Sequence, residues 1–115
     1  MRFIPTRVHG LLDYLFGLLL IASPWLLGFA AGGFETRAPV IVGVATLLYS
    51  LFTDYELGAL KTLTVPAHLT LDAISGTFLA LSPWLLGFSS EVFWPHLLFG
   101  LLYVVVAGST EPHPR

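Results

Sequence analysis

Cysteine is absent from the chain, which excludes disulfides, thiolate metal sites and thiol catalysis. Charge is scarce too. Only 10% of residues are charged, against roughly 25% in a soluble domain, so there is too little polar side chain to cover a water-facing surface. The formal net charge is −2. With five basic residues and no basic stripe to neutralise phosphates, nucleic acid is not an expected partner. Phosphate loops and dinucleotide fingerprints are missing. No nucleophile–base set appears either: Ser75 falls one turn after Leu71, away from His68. The expectation is a non-enzymatic protein with no catalytic residues and no cofactor.

What is abundant is apolar sequence. Hydrophobic residues make up 56% of 115 positions, and mean hydropathy is +0.83. That composition predicts a single integral membrane domain over 1–115, in an all-α fold. Four apolar segments emerge, at about 7–30, 39–53, 66–89 and 94–109, the last three opened by Pro39, Pro66 and Pro95. At about 1.5 Å per residue the first and third are roughly 33–36 Å long, enough to cross the hydrocarbon core. The first resembles a leader because of Arg2 and Arg7. However, the run from Val8 to Ala31 is too long for one and carries Asp13, so it reads as a permanent span. The Asp54–Val65 connection spaces Tyr55, Leu57, Leu60 and Leu63 as a segment lying in the membrane interface.

Basic residues set the expected orientation. Arg2, Arg7, Lys61 and Arg115 fall on one side and Arg37 on the other, which places both termini and the middle loop in the cytoplasm of a multi-pass plasma-membrane protein.

The chain also repeats itself. His9-Gly-Leu-Leu-Asp13 and Ser23-Pro24-Trp25-Leu26-Leu27-Gly28-Phe29 recur 59 residues later as His68-Leu-Thr-Leu-Asp72 and Ser82-Pro83-Trp84-Leu85-Leu86-Gly87-Phe88. Such a repeat marks a duplicated supersecondary unit, here with repeat 1 at 7–53 and repeat 2 at 66–110. The predicted architecture is a four-helix transmembrane bundle of two tandem hairpins, related by a pseudo-two-fold axis along the membrane normal. On a helix, His9, Asp13, Gly17, Leu20, Pro24 and Gly28 fall within roughly a 100° arc, as do their identical partners His68, Asp72, Gly76, Leu79, Pro83 and Gly87. This stripe is expected to face the bundle centre, where the copies meet, with Gly17, Gly28, Gly76 and Gly87 allowing close helix approach.

Pro24 and Pro83 leave the carbonyls of Leu20 and Leu79 without an intrahelical donor. The hydroxyls of Ser23 and Ser82 are expected to bond the carbonyl one turn back and bend the helix. Trp25 and Trp84 suit an interfacial aromatic belt. Ser-Pro-Trp-Leu-Leu-Gly-Phe in two copies, each preceded by His-x-x-x-Asp, resembles the SPW-repeat family of small bacterial membrane proteins. The resemblance implies membrane residence and a two-repeat, four-span layout, and no activity.

The chemistry-bearing residues gather at the inner end. His9 and Asp13 lie one turn apart, as do His68 and Asp72. Thr53-Asp54 and Thr110-Glu111 close the second and fourth segments on the same side. Three readings compete for His9, Asp13, His68, Asp72, Asp54 and Glu111. They are a structural hydrogen-bonded network, a proton or cation site of a transporter or metal binder, and haem held between the two histidines. The metal, if any, is not named by the pattern. A structural or accessory membrane protein is the leading expectation, self-associating or part of a larger membrane complex within the lipid bilayer. His96 and His113 are expected to be interfacial or solvated.

Overall fold

The computed structural model describes residues 2–113 and arranges them as four helices. These are α1 (Thr6–Leu26), α2 (Phe34–Leu51), α3 (Val65–Leu85) and α4 (Trp94–Ser109). Among the described residues there are no strands, only two isolated bridges, Ile4 to Thr110 and Thr53 to Leu63. Arg115, used above for orientation, lies outside the described residues. One helix, Thr6–Leu26, is long and apolar enough to cross a membrane, and Trp94–Ser109 is apolar but shorter.

The start signals act locally. Thr64 caps α3 by accepting from the Ala67 N–H at 3.2 Å, and Pro66 and Pro95 occupy first-turn positions of α3 and α4. Pro39, expected to open the second segment, instead lies inside α2, which starts at Phe34 behind Gly33. Proline is tolerated there because the carbonyl it leaves free, Glu35 O, accepts a hydrogen bond from His96 Nε2 at 2.8 Å.

α1 and α3 also end sooner than hydropathy suggests. Gly28 and Gly87 adopt φ of 76° and 78°, the left-handed conformation that terminates helices. Phe29 N–H and Phe88 N–H then return to the carbonyls of Pro24 and Pro83, both at 2.8 Å. A Cβ at either glycine would meet open space, so Gly28 and Gly87 are helix terminators and not packing residues.

The other two glycines of the stripe, Gly17 and Gly76, do pack, but within a hairpin and not between the copies. A Cβ on Gly43 would lie 2.6 Å from Gly17 O, and one on Gly76 would lie 2.7 Å from Gly100 O. Absence of side chains thus lets α1 lie directly on α2 and α3 directly on α4. At the centre of the molecule Leu20 and Leu79 meet Ala38, Val42 and Tyr103. Below them, Tyr103 OH and Thr46 Oγ1 are 2.7 Å apart.

The 52–64 connection is not a regular interfacial element. It folds back on the end of α2, with Asp54 N–H to Leu63 O at 2.7 Å and Leu63 N–H to Phe52 O at 2.7 Å. Tyr55 turns inward and is 2% exposed, whereas Leu57 and Leu60 stay outside. The N-terminal residues close the same end. Phe3 and Ile4 N–H groups donate to Ser109 O at 2.8 and 2.9 Å, and the Arg2 guanidinium donates to Thr110 O at 2.8 Å, where a cation suits the carbonyl end of α4.

Candidate functional site

His9 and His68 sit in the first turn of α1 and α3, and Asp13 and Asp72 one turn further in. All four are buried, none more than 5% exposed. The four side chains interlock across the two helices. His9 Nε2 lies 3.0 Å from Asp13 Oδ1 on its own helix and 2.8 Å from Asp72 Oδ2 on the other. His68 Nε2 lies 2.9 Å from Asp13 Oδ2 and 3.2 Å from Asp72 Oδ2. Each histidine therefore faces both carboxylates. The rings meet edge to face, with centroids 5.3 Å apart.

The chain just past the second helix of each hairpin supplies a hydroxyl behind the ring of the other hairpin. Thr110 Oγ1 is 2.7 Å from His9 Nδ1, and Thr53 Oγ1 is 2.7 Å from His68 Nδ1. The sequence pairs Thr53-Asp54 and Thr110-Glu111 thus contribute their threonines. Asp54 is exposed and Glu111 half-exposed, and neither belongs to the buried four-residue group.

Two tyrosines that pattern reading passed over complete the shell. Tyr55 OH donates to Asp13 Oδ2 at 2.8 Å, and Tyr49 OH donates to Asp72 Oδ1. Burial, and then the neighbouring Asp13 charge, push the Tyr55 phenol far above its ordinary range, so it remains a donor. Tyr49 stands two turns after Val42 on the core face of α2, and that periodicity was the available clue. Tyr55 carried none, because it lies in the irregular connection. The void beside the cluster, against Phe16, Tyr103 and Val106, is about 10 Å³. It has room for about one water or bare ion and none for an organic substrate.

The other end of the bundle explains the heptapeptide. Ser23 Oγ donates to Leu20 O at 2.8 Å, and Ser82 Oγ to Leu79 O at 2.7 Å. These are the carbonyls that Pro24 and Pro83 cannot serve, so each Ser-Pro pair satisfies its own break. Trp25 and Trp84 point outward. The closing Phe29 and Phe88 both turn onto His96, at ring distances of 5.1 and 4.8 Å. His96 is 1% exposed, contrary to the expectation of an interfacial or solvated side chain. The bond to Glu35 O, on α2 and 61 residues back in the chain, holds it inside. His113 is exposed.

A family model for the SPW repeat domain matches residues 7–110. The chain belongs to the SPW repeat family. The match spans all four helices, including both heptapeptides and both His–Asp pairs. No curated protein and no solved structure matches the chain. SPW repeat proteins are membrane-associated, and α1 supplies one candidate span.

The Ser-Pro geometry has a measurable consequence. Ser82→Ala leaves the buried Leu79 carbonyl without a donor, at a cost of about 1–3 kcal/mol. Adding Pro83→Ala restores a backbone N–H to that carbonyl, and the double variant is expected to recover most of the loss. Unfolding midpoints in mild detergent measure the cycle. Losses that simply add would break the link between serine and proline.

Proposed function

We propose that this SPW repeat protein is a four-span plasma-membrane protein of structural or accessory type. In this reading it is non-enzymatic, built from two equivalent hairpins about an axis along the membrane normal, and associates with itself or a larger membrane complex. One observation carries the reading: the molecule is polar inside and apolar outside. Four ionisable side chains are buried at one point, while Leu11 and Leu18, Ile41 and Leu48, Ile74 and Phe78, and Leu101 and Val105 expose large apolar surface on all four helices. Water would reverse that distribution; lipid favours it.

Within this reading the His–Asp quartet acts as a polar staple. Each carboxylate faces an imidazole nitrogen of the other hairpin, Asp72 Oδ2 at 2.8 Å from His9 Nε2 and Asp13 Oδ2 at 2.9 Å from His68 Nε2, so the pairing fixes how the two halves meet. The exposed Trp25, Trp84 and Trp94 lie near one end, where an aromatic belt would sit. Arg2, Arg7 and Lys61 mark the opposite, cytoplasmic end.

The absence of cysteine makes the topology directly testable. Single Thr62→Cys and Ser90→Cys variants should label from opposite faces of intact cells, Thr62→Cys only after the cytoplasm is made accessible. Labelling of both from one face would sink the four-span layout. Native mass spectrometry from mild detergent should show oligomers or a co-purified membrane partner. A strictly monomeric protein without partners would refute the accessory role. A cation-coupled transporter, the competing reading, would instead show ion-driven flux abolished by Asp13→Asn with Asp72→Asn.

A further inference from the structure

We propose that His9, Asp13, His68 and Asp72 form a binding site for one divalent transition-metal ion of the zinc class. The inference goes beyond the staple role and can fail independently of it.

The first step is to locate the hydroxyl protons. Thr53 Oγ1 donates to Tyr49 O at 2.6 Å and Thr110 Oγ1 donates to Val106 O at 2.6 Å. A carbonyl oxygen only accepts, and a threonine hydroxyl has one proton to give. Both hydroxyls must therefore accept from the histidine Nδ1 atoms that lie 2.7 Å away. Both rings carry a proton on Nδ1, which leaves the Nε2 atoms as the groups that face the carboxylates.

The second step is a charge count. In neutral rings of this tautomer, the Nε2 lone pairs would point at carboxylate oxygens only 2.8–3.2 Å away. Such an arrangement repels unless positive charge lies between them. Two protons would neutralise the cluster, and so would one divalent cation.

The third step separates these two forms. His9 Nε2 is aligned for a hydrogen bond with Asp72 Oδ2. His68 Nε2 is fully buried and close to two carboxylates, yet its direction satisfies neither as an N–H donor. In the proton-filled form that donor stays unmet, which is costly in a buried site. A metal ion removes the problem, because it takes the lone pair and not the proton.

The donor set and its surroundings fit. Four ligand atoms, one from each residue, lie within 4.8 Å of one another. A tetrahedral ion with bonds of about 2.0–2.2 Å holds its ligands roughly 3.3–3.6 Å apart, so the His–Asp contacts of 2.8–3.2 Å open and the ligand atoms that lie as far as 4.8 Å apart draw together. Two imidazoles and two carboxylates suit zinc, manganese, iron or cobalt, and no soft thiolate is available for copper(I). The outer partners are those that orient metal ligands: a hydroxyl behind each imidazole, and Tyr49 and Tyr55 on the carboxylates.

The test uses the full chain, stripped with chelator in mild detergent and titrated with Co²⁺ alone. The expected result is the visible absorption of four-coordinate cobalt, saturating at one ion per chain and displaced by one equivalent of Zn²⁺. Thr53→Val keeps all four ligands and should weaken binding by roughly 10–100-fold; His113→Ala should change nothing. Asp13→Asn and Asp72→Asn should each abolish the band, with circular dichroism verifying the helices. Absence of the band in the folded wild-type chain would overturn the site, and so would a band that persists in both Asp variants. Either outcome leaves the staple role intact, because that role is read from the stability of the metal-free protein.

Discussion

Asp72→Asn is expected to lower the stability of the metal-free protein by about 3–5 kcal/mol, read as the unfolding midpoint in a mild-detergent to denaturing-detergent titration. Asparagine keeps the shape of the side chain but removes the charge that faces His9 Nε2, His68 Nε2 and Tyr49 OH. What remains is a buried cationic ring short of one anion, or a neutral ring against an amide. Water cannot repair either, because Asp72 is 2% exposed. Tyr49→Phe removes one donor from the same carboxylate and should cost less, about 1.5–3 kcal/mol. Asp54→Asn should leave the midpoint where it is, since Asp54 is exposed and outside the cluster. An Asp72→Asn protein as stable as wild type would show that the quartet does not hold the hairpins together.

Gly100→Ala should be of similar severity, for a steric and not an electrostatic reason. A Cβ at residue 100 would fall inside the van der Waals contact distance of the Gly76 carbonyl oxygen and the Ala80 nitrogen. Those atoms belong to the backbone of α3 and cannot swing aside as a side chain can. The helices must separate, which loosens the contact of Tyr103 with Leu20 and Leu79 in the core. Overpacking of this kind costs about 1–3 kcal/mol, and more where backbone must move. Gly108→Ala is the matched control on the same helix. A Cβ there meets nothing within 4 Å, so alanine should stabilise by about 0.5–1 kcal/mol through helix propensity. Equal effects at residues 100 and 108 would show that α3 and α4 do not touch through this glycine pair.

The inner site was legible as a face but not as a network. Helical spacing puts His9 over Asp13 and His68 over Asp72, because residues four apart share a side of a helix. Nothing in that spacing says that His9 also reaches Asp72. That contact depends on how the two hairpins meet, which no spacing within either repeat specifies. The same limit explains Asp54 and Glu111. Both sit next to the threonines that face the rings, and at a helix end one residue of register decides which neighbour points in.

The glycine stripe shows a different limit. Extending the helical wheel of α1 to Gly28 places it in line with Gly17, but the wheel has no meaning once the chain leaves the helix at Leu26. His96 was misplaced because hydropathy sees only its neighbours in the chain. Its burial comes from Phe29, Phe88 and the Glu35 carbonyl that Pro39 leaves unserved. Those groups belong to three other segments and converge only after folding.

The helical class, the two matched copies of motif, the proline break in α1 and α3 and the placing of imidazole over carboxylate one turn apart follow from the chain alone. All of these rest on interactions within about one helical turn, or on composition. Only the tertiary structure decided which carboxylate serves which histidine, that threonine hydroxyls and tyrosine phenols close the cluster, and that glycines bind helices within a hairpin. Those outcomes depend on distances between residues 15 to 101 positions apart, and such distances are set by packing, which local pattern does not encode.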